Sequence, residues 1–354
     1  MKDDYLWDRS GEPDPELQKL ESALGRFGQR GEVPDFAHVT IARRPRVWRW
    51  FADPSWTHAL AAAAGIILAI TAYGLVRWSA GPIAANGPGW DIEDVAGTPR
   101  VGWHAISKDA RNSKLTVGQT LTTDSHSKLT LTVADVGAVN VEPKSRLRLL
   151  AKREGHNRLE LQRGTIHAFI WASPGQFAVD TPSATAIDLG CQYTLTVDNS
   201  GAGTLRTTLG WVGFKLQDRE AFIPAGAVCA TRPKTGPGTP YFEDAAPSFC
   251  EALSKFDFSA QTPAARNAEL DRILSQARER DALTVWHLLA RVDEADRGRV
   301  YDRLAALVPP PAGVTREGIL RQDQQMLDLW WNQLGLGDVS LWRTWERSWS
   351  QERF

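Results

Sequence analysis

The sequence predicts a mixed fold in three parts: one transmembrane helix, an all-β domain beyond it, and an all-α C-terminal region. Three observations carry this reading. Residues 57–76, THALAAAAGIILAITAYGLV, contain no Asp, Glu, Lys or Arg. Residues 101–242 alternate apolar and polar positions between closely spaced turn residues. From residue 248 onward the apolar spacing changes from two to three or four, the period of a helix.

The apolar run has the length of a membrane span, since about twenty residues at 1.5 Å rise cross a bilayer core. Trp48, Trp50 and Trp56 precede it and Trp78 follows, where interfacial aromatics are expected. A buried Ala-rich core helix is the alternative. Arg43, Arg44, Arg46 and Arg49 lie before the run, and after Arg77 the next basic residue is Arg100. The positive-inside rule then puts the N-terminus in the cytoplasm and the bulk of the chain outside, in the periplasm of an inner-membrane protein. That compartment permits disulfides.

Residues 1–56 form a short cytoplasmic head. Asp14 and Pro15 start a helix as N-cap and N1 residues, and Leu17, Leu20, Leu24 and Phe27 place one apolar stripe on it. A single short helix cannot bury such a stripe alone, so these four residues are the expected face for a cytoplasmic partner. The span occupies 57–77, and residues 78–100, with SAGPIAANGPGW, have linker composition.

The β-domain, 101–242, contains two echoing pieces, LQRGTIHAFIW (161–171) and TLGWVGFKL (208–216), with VADVGAVNV (133–141) as a looser third copy. Each is a strand, a glycine corner and a strand. Repeats of this kind suit a sandwich or a solenoid-like stack, and periodicity leaves both open. In 248–354, Thr262-Pro263 starts a helix bearing Leu270, Ile273, Leu274 and Ala277. Leu283, Trp286, Leu289 and Val292 mark a second. Val300, Tyr301, Leu304 and Leu307 mark a third, stopped at Pro309. Thr315 caps a fourth that runs through Ile319, Met326, Leu329 and Trp330 to Gly335. Trp342, Trp345 and Trp349 form a last aromatic stripe, which either packs on the preceding helices or presents an exposed face to a partner or membrane surface.

Residues 118–231 resemble the FecR family of membrane-bound sigma-factor regulators. Pro143-Lys-Ser145-Arg-Leu-Arg-Leu-Leu150 resembles the family's "p-x-S-x-l-x-l" strand, and LQRGTIHAFI its "l-x-x-G-x-x-x-f" element. FAVDTPSATAIDLGCQYTLTV resembles its most distinctive element, "F-x-V-x-T-P-x-A-x-v-x-x-x-G-T-x-F-x-V". GWVGFKL and IPAGAVC resemble the closing strand and corner. The resemblance implies a periplasmic β-domain that senses a periplasmic protein or outer-membrane transducer, and a head that holds a cytoplasmic sigma factor. This chain differs in having a shorter head, a helical C-terminal region, and Gly190-Cys191 where the family has Gly-Thr.

The residues carry no catalytic, cofactor or metal constellation. Asp124-Ser125-His126 are neighbours in a turn, His167 and His287 are isolated, and no metal-ligand spacing or phosphate loop occurs. The formal net charge of −1 gives no case for direct nucleic-acid binding. Cys191 and Cys229 both lie beside glycine corners in strand-like segments, and a disulfide between them is the expectation; two buried, reduced thiols are the alternative. Cys250 is then left over. The function expected is that of a single-pass inner-membrane signalling regulator without enzymatic activity. An envelope scaffold binding a protein or a glycan is the second reading.

Overall fold

The computed structural model describes residues 87–107, 113–133, 135–259, 262–339 and Arg343. The expected span at 57–77, the head with Leu17, Leu20, Leu24 and Phe27, and the stripe Trp342, Trp345 and Trp349 lie outside the described residues. Among the described residues no helix is long and apolar enough to cross a membrane. The chain divides into Met1–Arg77 and Trp78–Phe354, and the account below concerns the second unit.

The strands are, in chain order, β1 (Gly89–Ala96), β2 (Arg100–Val101), β3 (His104–Ala105), β4 (Lys114–Thr116), β5 (Thr120–Thr122) and β6 (Lys128–Val133). There follow β7 (Gly137–Val141), β8 (Arg146–Arg153), β9 (His156–Ile170), β10 (Phe177–Asp180), β11 (Thr185–Asp188) and β12 (Gln192–Val197). The last are β13 (Gly203–Leu209), β14 (Trp211–Leu216), β15 (Arg219–Pro224), β16 (Ala227–Arg232), β17 (Gly236–Pro237) and β18 (Tyr241–Phe242).

They form two sheets. The first runs β4, β1, β6, β7, β9, β12, β13, β16, with β17 and β18 both on β16. The second runs β3, β2, β5, β8, β9, β10, β11, β14, β15. The long strand β9 belongs to both, pairing with β8 and β10 through its first half and with β7 and β12 through its second. Every pairing is antiparallel except β9 with β10. The inner faces meet in one core: Trp90 of β1 lies 5.9 Å from Phe177 of β10, and Trp90 Nε1 donates to Asn157 Oδ1 of β9 at 3.3 Å. The two architectures left open by periodicity therefore coincide. The fold is a sandwich, and beyond the edge strands β4 and β3 both of its sheets grow in chain order as a solenoid does.

Two expectations are corrected. The segment read as linker contains β1, because Trp90 and Ile92 alternate inward and are buried. Of the echoing pieces, 161–171 and 208–216 carry the chain from one sheet to the other, at Gly164 and Gly210. The third, 133–141, is a hairpin within the first sheet. At Gly210, with φ +68, a Cβ would press into the Gly190 carbonyl, so two corners share one space. Gly210→Ala is expected to cost about 2–4 kcal/mol from the left-handed backbone and the clash together. Urea unfolding would show it as a lower midpoint, and an unchanged midpoint would refute the shared-corner account.

The helices are α1 (Pro247–Phe258), α2 (Pro263–Gln276), α3 (Ala282–Leu288), α4 (Glu294–Leu307), α5 (Arg316–Leu320) and α6 (Gln324–Gln333), with a 3-10 turn at Glu279–Asp281. Helix α1 has no counterpart in the sequence reading, although Phe249, Ala252, Leu253 and Phe256 bury one face of it. Thr262 caps α2 through Ala265 N (3.3 Å), as its position before Pro263 predicts. The single helix expected after Thr315 is two. Gln322 takes φ 57, and Asp323 accepts from Met326 N at 3.1 Å as a fresh N-cap. The helices cover the outer face of the second sheet at β15, where Phe222 meets Trp331 at 5.4 Å and Trp286 at 6.3 Å between ring centroids. The helical tail is thus docked on the β-domain.

Candidate functional site

The motif residues that stand out in the sequence turn out to build corners. Thr181 Oγ1 accepts from Ala184 N (2.9 Å) and donates to Ala184 O (2.7 Å), closing the Thr-Pro-Ser-Ala turn before β11. Buried Ser145 binds both sides of the next corner: its Oγ accepts from Thr165 N (3.0 Å) and its N donates to Thr123 Oγ1 (2.8 Å). A Cβ at Gly164 would collide with Ser145, which accounts for that Ser and Gly occurring together. Gly190, at φ +83, turns the chain from β11 in the second sheet to β12 in the first.

Beneath this last corner lies a buried polar group of four side chains. Asp188 Oδ1 accepts from Gly190 N at 2.7 Å, and Cys191 Sγ donates to Asp188 Oδ2. Tyr193 and Thr207, partners across β12 and β13, are also buried, and neither hydroxyl has a protein hydrogen-bond partner. Burial raises the Asp188 carboxyl to about 7, only partly opposed by its hydrogen bonds from Cys191 and Gly190. Burial, with Asp188 beside it, also holds the Cys191 thiol well above its ordinary value, so it is no nucleophile.

The expected Cys191–Cys229 disulfide is overturned. Both thiols are free and buried. Cys191 lies immediately before β12 and Cys229 on β16, and these strands flank β13 on opposite sides. Two strand spacings, about 9.5 Å, exceed the Cα separation that a disulfide bridges. Cys229 instead donates to Gly238 O at 3.2 Å, and burial pushes its thiol up to about 12. Cys250 is free as well and half-buried.

The seam between the sandwich and the helices holds a second buried polar group, which sequence reasoning missed. Asp257 at the end of α1, 2 % exposed, accepts from Arg219 Nη2 (2.8 Å), Thr239 N (2.6 Å) and Thr239 Oγ1 (3.1 Å). Arg291 Nη1 stands 3.7 Å from the same carboxylate and donates to Pro237 O, while its Nη2 donates to Glu220 O. Burial lowers Arg291 to about 10 despite Asp257. His287 of α3 accepts from Phe222 N at Nε2 (3.0 Å) and donates from Nδ1 to Leu283 O (2.8 Å). Burial, with Arg291 adding to it, lowers its imidazole to about 3, so it is neutral. A groove of about 460 Å³ opens along this seam over Phe242, Leu283, Val308 and Leu336, and Arg280 lies across the Phe242 ring at 4.4 Å while pairing with Asp244.

The remaining surface is mostly sheet. On the outer face of the first sheet His167 bonds Thr194 Oγ1 (2.8 Å) and stands 3.5 Å from Glu142. Trp171 at the end of β9 is 69 % exposed, with Nε1 donating to Asp135 O. Asp124, Ser125 and His126 form an exposed turn. Among the described residues no group of three His, Cys, Asp or Glu side chains is placed to hold a metal ion.

These features define the class: a two-sheet β-domain of stacked corners with a helical region docked on one face. The family model described as FecR protein matches residues 119–210, from β5 to the corner at Gly210. Two solved structures from Parabacteroides distasonis ATCC 8503, at 1.65 and 2.50 Å resolution and each provisionally titled an anti-sigma factor, are similar at 14% identity and TM-score 0.32. The alignments cover 44% of this chain and 74% of the first, and 38% of this chain and 64% of the second. Likeness at that level carries no argument about function. No curated protein matches the chain.

Proposed function

We propose that the chain is a single-pass inner-membrane signalling regulator of the FecR type. The observation that carries this reading is the FecR match over 119–210, which lies wholly within the two-sheet domain. The β-domain and its docked helices would bind a periplasmic protein or outer-membrane transducer. The head would change its hold on a cytoplasmic factor, a sigma factor being the kind the family implies. The signal would be a coupling free energy between two binding events and needs no catalysis. The buried polar seam supports the reading, because it makes sandwich and helices one body able to transmit a shift. The double change Leu20→Asp and Leu24→Asp is expected to abolish capture of the cytoplasmic factor in a pull-down and to alter its target transcription. Capture and transcription both at parental levels would remove that face from the model.

The second reading is an anchored envelope scaffold, favoured by the open outer face of the first sheet. Deleting residues 1–35 separates the two: a regulator loses its output and a scaffold retains its partner.

A further inference from the structure

On the outer face of the second sheet most charges are paired. Arg158 binds Asp180 through two bonds of 2.7 and 2.9 Å, Arg148 stands 3.8 Å from Glu160, and Glu220 pairs with Arg343. One row departs from this. Arg100 of β2, Thr122 of β5 and Arg146 of β8 are in direct register, and Arg163 of β9 stands opposite Arg146 where the ladder slips by a residue. All three arginines are exposed. Among the described residues none has a carboxylate partner, and Arg146 makes only an amide contact, to Gln162 at 2.8 Å. Like charges directly opposite each other destabilise a sheet. Guanidinium groups bind carboxylates in a two-point geometry that lysine cannot reproduce. Arg100 and Arg146 are two strands apart, about 9.5 Å, with the small hydroxyl side chain of Thr122 between them. The turn that follows β2 carries Trp103, 79 % exposed, the most exposed large apolar side chain among those described.

We infer that Arg100, Thr122, Arg146 and Arg163, with Trp103 three residues beyond Arg100 at the tip of the β2–β3 hairpin, bind an acidic glycan, a polysaccharide bearing carboxylates at intervals along its chain. The arginines take carboxylates, the Thr122 hydroxyl bonds a sugar oxygen, and the indole face stacks on a sugar ring. Carboxylates on a repeating chain match cations spaced by two strands, and an aromatic platform distinguishes a sugar from a bare polyanion. This site is independent of whether the head controls a sigma factor.

The test is calorimetric titration of the full chain, in zwitterionic micelles, with a polyuronate and with the same polymer methyl-esterified. Binding of the acidic polymer alone is expected. Arg100→Gln with Arg146→Gln should weaken it about tenfold or more, and Trp103→Ala about threefold or more. Arg206→Gln, on β13 of the first sheet and paired with Glu243, should leave it within twofold, with thermal midpoints unchanged throughout. The proposal fails if the polyuronate does not bind or if the double variant binds like the parent. It also fails if single-stranded DNA binds as tightly with Trp103→Ala without effect, which would indicate charge alone. Displacement of the polymer by phosphatidylglycerol vesicles but not by free uronate oligomers would identify a lipid surface as the occupant and overturn it as well.

Discussion

Replacing Asp257 by Ala is expected to lower the unfolding free energy by about 3–5 kcal/mol. Among the described residues its carboxylate is the one within 4 Å of both Arg219 and the buried Arg291, and it also holds the backbone and hydroxyl of Thr239. Removing it leaves Arg291, itself only 5 % exposed, as an uncompensated charge between the sandwich and α1. That penalty is far larger than the modest net contribution of the intact pair, since desolvation offsets most of the attraction. The Asp257→Leu and Arg291→Met double variant is therefore expected to recover part of the loss, the charge penalty, while the buried Thr239 N–H and hydroxyl stay without their acceptor. Urea unfolding followed by tryptophan fluorescence measures both, because Trp286 and Trp331 sit at the seam. A single-variant cost below about 1 kcal/mol, as for an exposed surface pair, would refute the account of the seam.

Asp188→Asn is expected to stabilise the protein at pH 8 by up to about 4 kcal/mol relative to its effect at pH 4. The sign follows from protons bound. Unfolded, the Asp188 carboxyl ionises near its ordinary value of 3.8, whereas folded it keeps its proton until about 7. Between those values the folded state holds the extra proton, so this group makes stability fall as pH rises, and above 7 the full difference is lost. Three units at about 1.36 kcal/mol each set the magnitude. His287 acts the other way. Its folded value of about 3 lies below the ordinary value of 6.5, so its contribution is full above 6.5 and is lost as pH falls toward 3. The two slopes oppose each other in overlapping windows, and the parent should look nearly flat with respect to this pair. The variant should show the His287 slope uncovered, with stability rising from pH 4 to 6.5. A variant whose profile is parallel to the parent's would show that Asp188 is not the group responsible.

Much of the β-domain was legible because a half-buried strand advertises itself by alternation. Leu129, Leu131 and Val133 point inward and Lys128, Thr130 and Thr132 outward, as the pattern requires. Helix α2 was legible through Thr262, Pro263 and the stripe Leu270, Ile273 and Leu274. Where reading failed, it failed on local competition. Gln322 and Asp323 interrupt an apolar stripe that continues across them, and a side-chain cap outweighs the stripe there. The strand β1 was hidden by the Gly and Pro residues before it.

What the sequence by itself determined is the order and kind of the parts: alternating strands with glycine corners, then capped helices, with a FecR signature across the first. These depend on neighbours in the chain, so they can be read along it. Tertiary structure alone decided which distant residues meet. Cys191 and Cys229 are similar in sequence context, yet β13 runs between their strands and keeps them apart. Asp257, Arg219 and Arg291 are unremarkable as letters, and become a buried cluster only because the helices fold back over β15. Arg100 and Arg146 are 46 positions apart in the chain and share a row through the pairing of β2, β5 and β8. Register and docking are long-range outcomes of packing one core, and no local pattern encodes them.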